Sequence, residues 1–304
     1  MTTSALVLSL AMSVTFDDLP AQGFENANAA EMREINARIV KVLRKHRIPG
    51  VAFVNERGLE SDGAVDPGRV AALTTWLGAG LELGNHTYSH PSLHRVPLDR
   101  YLREIADGER VTRPLVEGRG GRYIWFRHPY LHTGRDLETK RAVESWLAEH
   151  RYRIAPVTID NSEWVYARAY THALRAKDED LRRRIAASYV DYMMQVVAYY
   201  EAQSDRLFGR QIPQVLLVHA NLLNADHFGA LAKAIAARGY RFVRLEEAVA
   251  DEAYLSEDTF TGGGGITWLH RWALTRGGGE LIVPGEPTVP EFVEKASDAL
   301  STGN

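Results

Sequence analysis

The feature that most constrains this fold is an alternation, sustained along the chain, between short apolar runs and segments whose apolar residues recur every three or four positions. The runs are Leu8–Phe16, Val51–Val54, Leu81–Leu83, Tyr123–Phe126, Ile154–Ile159, Val215–Val218 and Arg241–Leu245. Between them, Met32, Ile35, Ile39, Val42 and Leu43 keep the helical period, as do Ala142, Val143, Trp146 and Leu147, and later Phe228, Leu231, Ala232 and Ile235. Strands that alternate with helices predict a parallel α/β sheet joined by right-handed crossovers. A run such as Val215-Leu216-Leu217-Val218, apolar at every position, predicts a strand covered on both faces. Seven such runs are enough strands to consider a barrel.

Two regions depart from the alternation. Residues 165–210 contain no strand run, but Leu181, Ile185, Tyr189, Tyr192 and Val196 repeat at helical spacing, which predicts a helical insertion between the fifth and sixth strands. After about residue 255 the glycine runs Gly262–Gly265 and Gly277–Gly279 predict a loop-rich tail that resumes as a short helix at Pro290–Leu300. The expected organisation is therefore one barrel over residues 1–255, with the insertion at 165–210, and a tail over 256–304 that packs on it through Trp268 and Trp272.

Composition narrows the function classes. With 36 basic and 39 acidic residues the net charge is −3, which argues against a phosphate-binding nucleic-acid partner. The run Arg182-Arg183-Arg184 follows Asp178, Glu179 and Asp180 and reads as a solvated helix face. The absence of cysteine excludes disulfides, thiol nucleophiles and Cys-ligated metal, leaving His, Asp, Glu and water as metal ligands. Ala5–Val14 is too short to span a bilayer and lacks the basic start of a signal peptide, so it reads as the first core strand. No membrane span is expected. No signal peptide is recognisable in the given chain, and the sequence does not decide location: cell envelope or periplasm if a leader is missing, otherwise cytoplasmic. Oligomeric state has no signal in the sequence.

Ionisable residues gather where the apolar runs stop. The first ends in Thr15-Phe16-Asp17-Asp18, the third runs into His86-Thr87-Tyr88-Ser89-His90, and the fourth into Arg127-His128-Pro129-Tyr130. The fifth leads to Asp160, Glu163 and Trp164, and the sixth ends at His219. In parallel barrels these carboxyl ends share one rim, where active sites are built. His86 and His90, four apart, would project together from a helical turn, and with one carboxylate they would supply three ligands while leaving an open metal position. Asp17 and Asp18 are adjacent, so strand alternation predicts different roles for them: one as ligand, the other beside the reacting water. His219 is a group that can donate a proton near neutral pH. His94 continues the four-residue spacing, but Pro91 interrupts it, so His94 is not expected to be a ligand.

These motifs, in this order, resemble those of the polysaccharide deacetylases, the carbohydrate esterase family 4 group with a NodB homology domain. The resemblance spans roughly residues 8–250. It implies a distorted (β/α) barrel of about seven strands that hydrolyses N-acetyl groups on amino sugars of a polysaccharide or oligosaccharide. It implies Asp18, His86 and His90 as metal ligands, with Zn2+ or another divalent transition metal such as Co2+. Asp17 would be the base toward the attacking metal-bound water, Arg127 would orient it, and His219 would be the general acid. Tyr130 would offer its backbone N–H to the oxyanion, and Trp164 would line the acetyl pocket. The partner is then an N-acetylated glycan.

The chain departs from the family pattern at His128, at Leu131-His132-Thr133-Gly134, at Leu19-Pro20 and at Glu163, where the family commonly has Asp. Asp160 lies nearby, so either carboxylate could tune His219. Two other readings keep the fold: hydrolysis of a small non-glycan amide, which the complete Asp18, His86 and His90 set disfavours, and a catalytically silent carbohydrate-binding protein, which the presence of Asp17 and His219 disfavours.

Overall fold

The structure, a computed structural model, describes residues 10–23 and 27–302. Leu8 and Ser9 of the first apolar run, and the start of Ala5–Val14, lie outside the described residues. Strand β1 (Ala11–Leu19) leads to α1 (Ala29–His46), whose cap Asn28 accepts from the amides of Ala30 and Glu31. The Glu31 carboxylate reaches back to the Asn28 N–H, completing a capping box. The helix ends at Arg47 in the left-handed region, after Arg44, Lys45 and His46, whose charges suit a helix C-terminus. Strand β2 (Val51–Val54) follows, then a small antiparallel hairpin of β3 (Glu60–Ser61) and β4 (Ala64–Val65). Next come α2 (Pro67–Gly78), capped by Asp66 with Pro67 in its first turn, and β5 (Glu82–Asn85).

Helices α3 (Leu98–Asp107) and α4 (Thr112–Glu117) precede β6 (Trp125–Phe126), and α5 (Leu137–Glu149) precedes β7 (Arg153–Ile154). The strandless stretch consists of two helices, α6 (Glu163–Arg175) and α7 (Glu179–Phe208). Then come β8 (Gln214–His219), α8 (Leu222–Ala237), β9 (Arg241–Phe242) and α9 (Leu245–Ala248). The tail is more ordered than its glycines suggest. It carries α10 (Trp268–Arg276), capped by Thr267, as well as α11 (Glu291–Thr302).

Seven strands form one parallel sheet in the order β7-β6-β5-β2-β1-β8, with β9 paired to the start of β1. The apolar run Ile154–Ile159 is a strand only at its first residue. Arg153 and Ile154 pair with β6, while Ile159 forms a parallel bridge to Leu216 of β8. One segment thus joins the two outer strands, and the sheet curls into the distorted barrel that the alternation and the resemblance imply.

Strand alternation divides the apolar residues between two cores. Val14, Phe16, Ala52, Val54, Leu83, Phe126, Leu216 and Val218 face the helices, while Ala11, Val51, Phe53, Trp125, Ala155 and Val215 form a second, smaller cluster on the concave side. Gly84 belongs to the concave side, because a Cβ there would stand 2.7 Å from the Phe53 ring and 2.9 Å from the Trp125 carbonyl. Counting by twos from these residues reaches Thr15 and Asp17 on β1, His86 after β5, Arg127 after β6 and His219 on β8. The barrel therefore fills its concave interior with apolar side chains low down and turns polar at the carboxyl ends.

Phe16 ties the outer layer together. Its ring meets Trp76 of α2 edge-on at 5.4 Å and Phe228 of α8 at 5.1 Å. With the side chain fully buried, Phe16→Ala opens a cavity among three elements and should cost about 3–5 kcal/mol, read as a lower urea midpoint with an unchanged slope.

Candidate metal and catalytic site

The chain leaves the strand conformation at Asp18, whose φ of 63° is left-handed, and the β1–β2 register shifts between Phe16 and Leu19. The turn corrects the expectation of opposed carboxylates. His86 Nε2 lies 3.8 Å from Asp17 Oδ2 and 3.6 Å from Asp18 Oδ1, so both acids face one imidazole. His90 Nε2 is also 3.6 Å from Asp18 Oδ1. Residues 86–90 are not a helical turn as their spacing suggested. They form a loop with left-handed residues at Thr87 and His90, held by Glu104 of α3, whose carboxylate accepts from both the N–H and the hydroxyl of Ser89. The two imidazoles still converge, with ring centroids 4.8 Å apart.

Asp18, His86 and His90 each offer one ligand atom, and these atoms all lie within 4.8 Å of one another. Tetrahedral zinc, with bonds of about 2.0–2.1 Å, needs donors roughly 3.3 Å apart. The two 3.6 Å separations to Asp18 are within a small adjustment of that. Burial holds the His86 imidazole well below its ordinary pKa, hence neutral, and Nδ1 lies 2.8 Å from the Arg127 carbonyl oxygen. A neutral ring that donates from Nδ1 leaves its Nε2 lone pair toward Asp18 and His90, the orientation that a metal ligand needs. Two imidazoles and a carboxylate fit a divalent transition metal and leave a position for water or substrate.

Arg127 is fully buried and organises the other side of the site. Its Nη1 donates to both Asp17 oxygens at 3.3 and 3.2 Å, Nη2 to Thr15 Oγ1 at 3.0 Å and Nε to the Ala155 carbonyl at 2.9 Å. The guanidinium lies over the Phe53 ring, 4.6 Å from its centroid. Burial raises the Asp17 carboxyl above its ordinary range, and the Arg127 and His219 charges partly offset that rise.

His219 is the register partner of Asp17 on the neighbouring strand. Its Nδ1 is 2.8 Å from Glu163 Oε2. Burial opposes the charge on this imidazole, but the Glu163 bond and charge outweigh it and raise the pKa to about 9. Glu163 is therefore the direct partner, and Asp160 is not. The Asp160 carboxyl is pushed up to about 6 by burial and accepts from the Asn161 N–H at 2.8 Å. The sequence reading passed over Asn221 and Asn224. Both amides donate to Glu163 Oε1, and Asn224 also donates to the His219 carbonyl at 2.9 Å. The available signal was their spacing, two and five residues after His219 in the first turns of α8.

Tyr130 adopts φ 57° in the short 3₁₀ segment Pro129–Leu131, and its ring packs edge-on to His90 at 4.5 Å. Its amide precedes the first ladder bonds there, which Leu131 and His132 donate to the His128 and Pro129 carbonyls. Trp164 stands outside this cluster. Its ring is 43 % exposed and lines a mostly apolar groove of about 620 Å³ between α1 and α6, alongside Gln22, Ile35, Arg168 and Asn221. Among the described residues, no helix is long and apolar enough to cross a membrane.

The polysaccharide deacetylase family model matches residues 10–146. A peptidoglycan-N-acetylglucosamine deacetylase of Bacillus cereus is 28% identical over 153 residues, covering 50% of this chain and 46% of that protein, so the match spans under half its length. Among solved structures, a polysaccharide deacetylase from Bacillus cereus superposes with a TM-score of 0.51 at 17% identity, covering 77% of this chain and 91% of that one. A mutant of a CE4 family pseudoenzyme from Bacillus anthracis superposes equally well, at 0.51 and 17% identity, over 81% of this chain and 68% of that one. At such identities the structural likeness concerns the fold.

The Glu163–His219 pair predicts a pH dependence of stability in metal-free protein. The folded pKa of His219 lies above the unfolded value of about 6.5, so its contribution is fully present below that pH and is lost as pH rises toward about 9. Urea midpoints of wild type and Glu163→Gln should therefore differ most near pH 6 and converge above pH 9.

Proposed function

We propose that this chain, whose residues 10–146 match the polysaccharide deacetylase family model, hydrolyses N-acetyl groups from amino sugars of a polysaccharide or oligosaccharide. The observation that carries this reading is one juxtaposition. The Asp18, His86 and His90 cluster lies against a carboxylate fixed by Arg127, and the strand neighbour of that carboxylate is an imidazole fixed by Glu163.

Asp18, His86 and His90 would hold a divalent ion such as Zn2+ or Co2+, which when bound supplies a Lewis acid that polarises the acetamide carbonyl and makes water acidic. Asp17 accepts the proton of the attacking water. Burial raises its proton affinity above that of an ordinary carboxylate, and Arg127, gripping both oxygens, fixes the carboxylate and limits that rise. The Tyr130 amide, at the open start of its short segment, would donate to the developing oxyanion. His219 would protonate the departing nitrogen, because an amide anion is too basic to leave unaided. Glu163 keeps that imidazole protonated and aimed, and Asn221 and Asn224 hold Glu163 in turn. Trp164 lies away from the acetyl position that the resemblance implies, and on the groove between α1 and α6 it offers an apolar wall for a sugar face.

The test is acetate release from N-acetylglucosamine oligomers by zinc-loaded and chelated protein. Release should require metal, and Asp17→Asn should lower it by about 10²–10⁴-fold while zinc content stays stoichiometric. His86→Ala should lose the zinc itself, measured by elemental analysis. Zinc bound with no acetate from any glycan would sink the glycan reading and point to a small acylated amine.

The same assay reports on the acid. Glu163→Gln removes the group that holds the His219 pKa up, so the alkaline limb of kcat/KM should move to lower pH while the acid limb, set by Asp17, stays in place.

A further inference from the structure

The loop that carries Tyr130 is gripped by the segment beyond residue 255. Arg271 of α10 is 1 % exposed, and each edge of its guanidinium is used. Nη1 donates to the Leu131 carbonyl at 3.1 Å, Nη2 to Thr133 Oγ1, and Nε to Asp258 Oδ2 at 2.9 Å. Two aromatic rings pack against it, with the Trp268 centroid 4.8 Å and the Phe260 centroid 5.2 Å from the guanidinium carbon. The helix that presents it is pinned to the barrel by the Trp268 N–H, which donates to the Val157 carbonyl at 2.8 Å.

A second contact, independent of Arg271, falls on Tyr130 itself. A Cβ on Gly265 would sit 1.8 Å from the Tyr130 carbonyl oxygen and 3.5 Å from the His132 ring. Only glycine lets the tail backbone lie this close. Between these two contacts the loop keeps two consecutive left-handed residues, Tyr130 at φ 57° and Leu131 at φ 54°, a conformation that non-glycine residues leave unless their surroundings hold it.

We propose that Arg271 is a positioning residue for the Tyr130 backbone donor, and that Gly265 acts with it, so that the segment after residue 255 is a working part of the active site. This rests on the deacetylase reading above. A planar fork is needed for the task, since one group must reach a carbonyl, a hydroxyl and a carboxylate at fixed angles, which an ammonium cannot do together. The arrangement also makes the variant testable. Asp258 Oδ2 accepts from Lys140 Nζ at 2.5 Å as well, so Arg271→Met keeps the alkyl stem and leaves that carboxylate paired.

The experiment compares Arg271→Met, Arg271→Lys and Gly265→Ala with Arg276→Met, a control on the same helix whose guanidinium reaches Leu207 and Ser256 instead. Acetate kinetics and amide hydrogen exchange are measured on each full-length protein. In Arg271→Met and Gly265→Ala, kcat should fall at least about tenfold with KM within about twofold, the pattern of a weakened transition-state donor. The pH limbs should not move, because Asp17 and His219 are untouched. Exchange over residues 129–134 should quicken about tenfold or more while β1 and β8 keep their protection, Arg271→Lys should recover part of both losses, and Arg276→Met should match wild type. Unchanged kcat, or a loss that appears only when β1 and β8 loosen too, would overturn the positioning role. If wild type releases no acetate, the deacetylase reading and the catalytic part of this proposal both fall, while the exchange data still decide whether Arg271 and Gly265 hold the loop.

Discussion

The Arg127 guanidinium sits where the apolar interior of the barrel ends, and most of the site's geometry passes through it. A buried cation of this kind is tolerable only when its donors are met. Asp17 and Thr15 of β1 and the carbonyl of Ala155 meet them, while the Phe53 face covers the guanidinium from below. Its own backbone takes part as well, since the Arg127 carbonyl faces His86 Nδ1. One residue therefore sets the position of the Asp17 carboxylate and the tautomer of His86, a member of the candidate metal cluster. The same contact opposes the upward push that burial gives the Asp17 carboxyl.

His219 is held by a second buried pair. Glu163 is itself fully buried, and Asn221 and Asn224 satisfy the oxygen that His219 does not use. Amide donors surround that carboxylate, and its bond and charge hold the His219 pKa up. Asp17 is pushed toward holding a proton and His219 is pushed toward keeping one, each by a different cause, although the two are register partners on adjacent strands.

Much of this was legible in the sequence because strand alternation is a strict rule. Trp125 and Arg127, or Val215 and His219, share a face by parity, and the ends of the apolar runs mark where that face turns polar. The rule misled at Asp18, whose left-handed backbone turns its carboxylate to the same side as that of Asp17. Asp tolerates that region better than most residues, but nothing in a strand-like run announces it. The loop 86–90 misled similarly, since a four-residue spacing looks helical whether or not a helix is there. Asn221 and Asn224 were hidden by their ordinary appearance as helix-start residues, and Asn221 does cap α8. Arg271 was out of reach because 140 residues separate it from the loop carbonyl that it binds.

The interrupted strand at 153–159 has a consequence of its own. The segment bonds to β6 at its start and to β8 at its end, and between these points its carbonyls are not committed to a sheet ladder. Two of them are taken by groups from elsewhere: Ala155 by the Arg127 side chain and Val157 by the amide that begins α10. A longer, more regular strand here would make a better barrel and would leave those two donors with nowhere to go. The incomplete pairing thus works as a junction box: the barrel gives up part of its own wiring, and both the polar interior around Arg127 and the C-terminal segment plug into the sockets left open.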